Sequence, residues 1–128
     1  MQASILIEKI KLLDNYNQKR KKIAKFYDKN IKNKKITKLN YSKGSVYHQY
    51  VIKINDKKKL VDLFKNNNIE FGFHYPKSLN QIEALKSMFK KNNYINSENL
   101  AKKCFSIPID PTLSKKEMLK IVKILNFF

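Results

Sequence analysis

The sequence predicts a small α+β domain of two layers, with amphipathic helices packed on a small, mainly antiparallel sheet. Three observations carry this. Apolar residues recur at helical spacing over the first quarter of the chain and again at its end. Two central segments instead alternate apolar and polar residues, with Val, Ile, Phe and Tyr enriched, as half-buried strands do. Asparagine runs, prolines and capping residues separate these segments, giving the order helix, strand, helix, strand, helices, short strand, helix.

Gln2 to about Lys32 reads as helix, and a long one for a small domain. Ala3, Leu6, Ile10 and Leu13 form one stripe, and Ile23, Tyr27 and Ile31 continue it in a shifted phase. The shift near Asp14-Asn15 predicts a kinked helix or two helices. No cap precedes this helix, so the expectation is that another segment lies before it. Residues 33–45 are polar and lysine-rich and read as a connector, with a short strand over Ile36–Leu39. Val46–Ile54 alternates most clearly. It places Val46, His48, Tyr50, Ile52 and Ile54 on one face, so His48 and Tyr50 read as buried.

Asn55 or Asp56 can cap the next helix, whose Leu60, Val61 and Phe64 face the core and which Asn66-Asn67-Asn68 ends. Ile69–Tyr75 alternates again, with Ile69, Phe71, Phe73 and Tyr75 on one face, until Pro76 withdraws a donor from the ladder. Residues 77–93 are mixed, with a short helix expected over Gln81–Phe89. Ser97 can cap a helix holding Leu100, Ala101 and Cys104. Cys104–Ile107 reads as a short strand closed by Pro108 and Pro111. Ser114 and Glu117 form a capping box before a last helix with Met118, Ile121, Val122 and Leu125 as its buried stripe.

The chain has 128 residues, with 28 basic and 10 acidic side chains and a net charge of +18. Such a charge points toward anionic partners. Yet Arg20 is the only arginine, and arginine is the preferred residue for bidentate contact with phosphate and guanine. The joint abundance of lysine, asparagine and isoleucine instead has the pattern that an AT-rich coding sequence produces. The runs Lys19–Lys22, Lys32–Lys38 and Lys57–Lys59 accordingly read as solvated faces, and nucleic acid as an unfavoured partner.

Cys104 is the single cysteine, which excludes an internal disulfide and suits a reducing cytoplasm, the expected location. It reads as a small buried apolar residue. The apolar run Ser4–Ile7 is too short for the core of a signal peptide, and no stretch has the length of a membrane span. Two glycines leave no room for a glycine-rich phosphate loop, and two histidines show no metal-ligand spacing. No nucleophile sits in a recognisable elbow. Composition and periodicity alone stop at a basic α+β domain.

Four blocks of sequence go further. Gln2-Ala3-Ser4-Ile5-Leu6, Lys9-Ile10, Leu13-Asp14, Arg20 and Ile23-Ala24-Lys25-Phe26-Tyr27 make the first. Ser45-Val46-Tyr47-His48-Gln49-Tyr50-Val51-Ile52 makes the second. Ile69 to Pro76, ending His74-Tyr75-Pro76, is the third, and Ser106-Ile107-Pro108-Ile109-Asp110-Pro111-Thr112-Leu113-Ser114 the fourth. In content, order and spacing they resemble the C-terminal part of the DegT/DnrJ/EryC1/StrS aminotransferases.

The resemblance implies the small domain of a fold type I enzyme dependent on pyridoxal phosphate, usually a homodimer. Such an enzyme moves an amino group from glutamate or glutamine to a nucleotide-linked keto-sugar. The family's Schiff-base lysine and its Asn-x-Arg phosphate contact lie upstream of the helix where this chain begins. Residues 1–128 therefore read as the C-terminal domain, with the cofactor-binding domain absent. No catalytic residue, cofactor or metal is expected in this chain alone.

Among single residues, His74 and Tyr75 match the family's H-Y-P motif, which approaches the sugar-nucleotide end of the active site. Asn80 stands where members commonly carry a second histidine, so it can exchange hydrogen bonds but not titrate near neutral pH. Gln81 follows it. His74, Tyr75, Asn80 and Gln81 are the expected substrate-binding residues. Two other functions stay open on the sequence. One is a stand-alone basic protein that binds nucleic acid or another polyanion. The other is a dimerisation or regulatory partner of an intact aminotransferase.

Overall fold

The computed structural model describes residues 2–89 and 94–128. The end of the mixed stretch, residues 90–93, lies outside the described residues. In chain order the elements are α1 (Gln2–Ile10), α2 (Leu13–Asn30), β1 (Thr37–Lys38), β2 (Tyr50–Lys53), α3 (Lys57–Asn66), α4 (Ile95–Lys103), β3 (Cys104–Ile107) and α5 (Lys115–Phe127). Two 3₁₀ segments, Leu79–Gln81 and Glu83–Met88, lie between α3 and α4. The architecture is the small α+β domain expected, with a three-stranded antiparallel sheet in the order β1-β2-β3. Two compact units make it up: Met1–Asn33, Asn40–Tyr50 and Pro108–Phe128 in one, Lys34–Leu39 and Val51–Ile107 in the other.

In the first unit the expected long helix is two. The break falls at Lys11-Leu12, slightly before the phase shift, where the Leu12 N–H donates to the Lys9 carbonyl (3.0 Å) and tightens the turn. The two stripes have different fates. α2 buries Ile23, Ala24 and Tyr27, whereas α1 buries none of its residues. Leu6 and Ile10, read by periodicity as core, are 63% and 69% exposed.

α5 has the predicted capping box: the Ser114 hydroxyl accepts from the Glu117 N–H (3.2 Å), and the Glu117 carboxylate accepts from the Ser114 N–H (2.8 Å). Asn126 ties the ends of α5 and α2 together, donating to the Asn30 carbonyl (3.0 Å) and accepting from the Lys32 N–H (2.8 Å). The two buried phenols are satisfied. Tyr27 donates to the Pro108 carbonyl (2.9 Å), and Tyr50 donates to the Asp28 carboxylate (2.6 Å). Burial pushes both phenols up, Glu117 adding to the effect at Tyr27 and Asp28 at Tyr50.

The second unit holds β1, β3 and β2 from Val51 onward. Thr37 pairs with Lys53 and Lys38 with Ile52. α3 is capped by Asp56, whose side chain accepts from the Lys59 N–H (3.0 Å). It ends as a Schellman motif: Asn68 takes a left-handed φ of 52°, Ile69 N–H donates to Phe64 (2.9 Å) and Asn68 N–H to Lys65 (3.0 Å). Phe64 of α3 sets its ring edge-on to Phe105 of β3, with centroids 5.2 Å apart, so helix and sheet form the two expected layers.

Several local expectations are corrected. The strand expected over Val46–Ile54 is confined to Tyr50–Lys53, because Tyr47 has a φ of 52° and breaks the extended path. Tyr50 and Ile52 are buried as predicted. His48 and Val46 flank the break, outside the strand, and are exposed, so the buried reading of His48 does not hold. The strand expected over Ile69–Tyr75 reduces to one antiparallel bridge, Gly72 to Ser106, and Tyr75 is 76% exposed. The helix expected over Gln81–Phe89 is the pair of 3₁₀ segments. Ser97 is not a cap, since α4 starts two residues earlier at Ile95.

Candidate functional site

A cleft of 710 Å³ opens in the second unit between the segment that begins at His74 and helix α4. That volume falls in the usual range for small-molecule sites. Its walls are mostly apolar, with Leu79 and Ile82 on one side, Leu100, Ala101 and Cys104 on the other. Three polar groups with defined positions stand among them: His74, Ser78 and Asn80.

His74 is set by β3. Its Nδ1 lies 3.0 Å from the Ser106 hydroxyl, and its ring rests on Gly72, where a Cβ would come within 2.5 Å of the imidazole Cε1. Tyr75 follows at the mouth, 76% exposed, its ring edge-on to the imidazole at 6.1 Å. Asn80 is held at both ends of its amide. Its oxygen accepts from the Ser78 hydroxyl (2.7 Å), and its nitrogen donates to the Glu98 carboxylate on α4 (2.7 Å). Ser78 is 8% exposed, so this chain of bonds satisfies a polar group that would otherwise be costly to bury.

His74, Tyr75 and Asn80, expected from sequence as binding residues, thus meet at one cleft. Gln81 does not line it: its side chain turns back to accept from the Ser78 N–H (3.2 Å) and closes the 3₁₀ turn. Ser106 lies inside one of the four sequence blocks but was not singled out by it. Glu98 carries no local signal, because its partner is 18 residues away.

Cys104 is 6% exposed, and burial pushes its thiol up, against the lowering fields of Lys57 and Lys53. It is a protonated wall residue and a poor nucleophile. Lys57 is lowered, chiefly by burial. Its ammonium donates to the Ala101 carbonyl (2.9 Å) and stands 4.9 Å over the Phe73 ring, which gives it a structural role. Among the described residues no group of His, Cys, Asp and Glu is placed to hold a metal ion. No helix there is long and apolar enough to cross a membrane.

The implied cofactor does not fit the residues present. Pyridoxal phosphate needs a lysine to meet its aldehyde carbon and several donors on its phosphate. Among the described residues the cleft offers one lysine, Lys77, exposed on its rim, while the carboxylate of Glu98 takes one of the two amide N–H donors of Asn80. Much of the remaining wall is hydrocarbon, from Leu79, Ile82, Phe89, Leu100 and Ala101.

Comparison with known proteins matches this geometry to a family. The model of the DegT/DnrJ/EryC1/StrS aminotransferase family covers residues 1–126. The dTDP-3-amino-3,6-dideoxy-alpha-D-galactopyranose transaminase of Aneurinibacillus thermoaerophilus is 30% identical over 128 residues, 98% of this chain and 35% of that protein. A DegT DnrJ EryC1 StrS aminotransferase from Brucella abortus superposes with a TM-score of 0.89 at 26% identity, over 99% of this chain and 35% of that one. DesV of S. venezuelae superposes at 0.92 with 21% identity and the same coverage, a likeness of fold. The chain thus spans about a third of the length of the relatives it matches. With the four sequence blocks, the fold and the family model agreeing along its length, the chain belongs to the DegT/DnrJ/EryC1/StrS aminotransferase family.

Proposed function

We propose that this chain is the C-terminal domain of a sugar aminotransferase and does not catalyse transamination alone. In this reading the partner portion of the enzyme supplies the lysine and the phosphate site for pyridoxal phosphate. The assembled enzyme, a cytoplasmic homodimer, transfers an amino group from glutamate or glutamine to a nucleotide-linked keto-sugar. The observation that carries the reading is a family match over residues 1–126 by a chain that covers 35% of its relative and has no seat for the cofactor among its described residues.

Within that enzyme His74, Tyr75 and Asn80 take the substrate end of the site. The exposed Tyr75 offers a ring face and a hydroxyl, and His74 a ring nitrogen. The second N–H of Asn80 and its second lone pair are free to meet sugar hydroxyls. Apolar side chains of Leu79, Ile82 and Leu100 flank them in the cleft.

Two measurements test the proposal. Added pyridoxal phosphate should give the isolated chain no visible band of a lysine–cofactor imine. A stable band would refute the missing-lysine argument. Titration with dTDP-glucose should move the amide and ring resonances of residues 74–80 in a nuclear magnetic resonance (NMR) spectrum, and His74→Ala should weaken that binding. Perturbation confined to the lysine-rich surface would point to non-specific anion attraction instead.

A further inference from the structure

We infer that Ser106 and Gly72 form a seat that fixes His74 as its Nε2–H tautomer, so that the histidine presents a hydrogen-bond donor to the cleft. The inference rests on the reading of His74 as a substrate-facing residue and adds what the residue can offer there.

Ser106 is 6% exposed, and its backbone is already paired, N–H to the Gly72 carbonyl (2.8 Å) and carbonyl from the Gly72 N–H (3.0 Å). Among the described residues its side chain has one partner, His74 Nδ1, at 3.0 Å. A buried hydroxyl hydrogen without an acceptor loses its bond to water and gains none in return. If Nδ1 were protonated, the hydroxyl would have to accept, and its own hydrogen would be left without a partner. If Nδ1 is bare, the hydroxyl donates to it and both atoms of this contact are satisfied. The neutral imidazole then carries its proton on Nε2.

Gly72 completes the seat. The imidazole can reach Ser106 only by lying across the backbone of residue 72, and a Cβ there would come within 2.5 Å of Cε1 and 3.1 Å of Nδ1. Nε2 has no hydrogen-bond partner among the described residues, and His74 lines the cleft. The group offered to a ligand is therefore an N–H, which selects an acceptor oxygen: a sugar hydroxyl or a phosphate oxygen. Ser106 acts through His74 and is a positioning residue.

The test reads the ring nitrogens of His74 by NMR in the isolated chain at about pH 8.5, where an ordinary imidazole is neutral. The expected spectrum has Nδ1 in the acceptor-type range and Nε2 in the proton-bearing range, as a single tautomer. Ser106→Ala should convert it to a mixture of tautomers while the backbone spectrum stays folded, and Ser106→Thr, which keeps the hydroxyl, should restore the single form. Gly72→Ala should give the same mixture by displacing the ring. A proton on Nδ1 in the wild type, or an unchanged tautomer in both Ser106→Ala and Gly72→Ala, overturns the inference. These spectra need no ligand, so they judge the seat independently of the proposed function. Adding thymidine diphosphate or a neutral hexose then separates the two oxygen sources by which one shifts the Nε2 proton. No shift with either overturns the donor role while leaving the tautomer result intact.

Discussion

Phe105→Ala tests the packing that holds the cleft. Phe105 is fully buried on β3, next to Ser106. Its ring stacks on Phe71 at 5.2 Å and meets Phe64 at 5.2 Å and Phe73 at 5.8 Å, both edge-on. Truncating a buried phenylalanine costs about 3–5 kcal/mol through lost transfer energy and the cavity left behind. The measured truncation range already contains ring contacts, and three of them place this site in its upper part. The expected loss is therefore about 4–5 kcal/mol, a large share of the roughly 5–15 kcal/mol that holds a domain. Urea unfolding should show the midpoint fall with little change in slope. Phe73→Ala is the control: the residue is only half-buried and should cost less than half as much. A Phe105→Ala loss below about 1.5 kcal/mol, or an equal loss in both variants, would refute the ring cluster as the clamp between α3 and β3.

Ser114→Ala removes the hydroxyl half of the α5 capping box and should cost about 1 kcal/mol in thermal or urea melts. The Glu117 carboxyl is held low by the Ser114 hydroxyl first and the Ser114 N–H second. A lowered folded pKa means stability that is present above the unfolded value and lost as pH falls through the folded one. Melting temperature should thus fall on acidification through the carboxylate range, and fall less steeply in Ser114→Ala. The double variant Leu6→Glu, Ile10→Glu should reduce self-association in light scattering and leave unfolding within about 0.5 kcal/mol. A loss above about 1 kcal/mol would show that these side chains are not the exposed stripe seen here. Retention on a polyanion column should collapse as salt rises, as lysine-driven attraction does. Binding that survives salt and depends on sequence would favour the nucleic-acid reading.

The parts of the fold legible in the sequence are those set by local rules. Asp56 and Ser114 announce their helices because a cap needs only a short polar side chain at one position. Tyr50, Ile52 and Ile54 alternate because a strand points successive side chains to opposite faces. Tyr47 could not be read this way. Nothing about a tyrosine favours a left-handed φ, and its ring packs on Tyr41, a contact at 4.9 Å that alternation does not encode. The site divides similarly. His74, Tyr75 and Asn80 were proposed from a family resemblance, whereas the partners that hold His74 and Asn80, Ser106 at 32 positions' distance and Glu98 at 18, come from tertiary folding.

The two competing readings make opposite demands on the surface. A polyanion binder needs its lysines exposed and has no use for exposed hydrocarbon. Charge alone therefore leaves α1 unexplained: Ile5, Leu6, Ile7 and Ile10 are all more than half exposed on a helix that buries nothing. Leaving apolar area in water forfeits about 25 cal/mol per Å², and contiguous patches of it mark contact surfaces. Charge also leaves the apolar cleft beside His74 and Asn80 without a purpose. A domain made to be covered by a larger one needs both features, and this chain spans 35% of the relative that shares 30% of its residues. The net charge of +18 discriminates less, since 27 of its 28 basic residues are lysines, the cation least suited to forked contacts with phosphate. The uncovered hydrocarbon, more than the charge, argues for a piece of an aminotransferase.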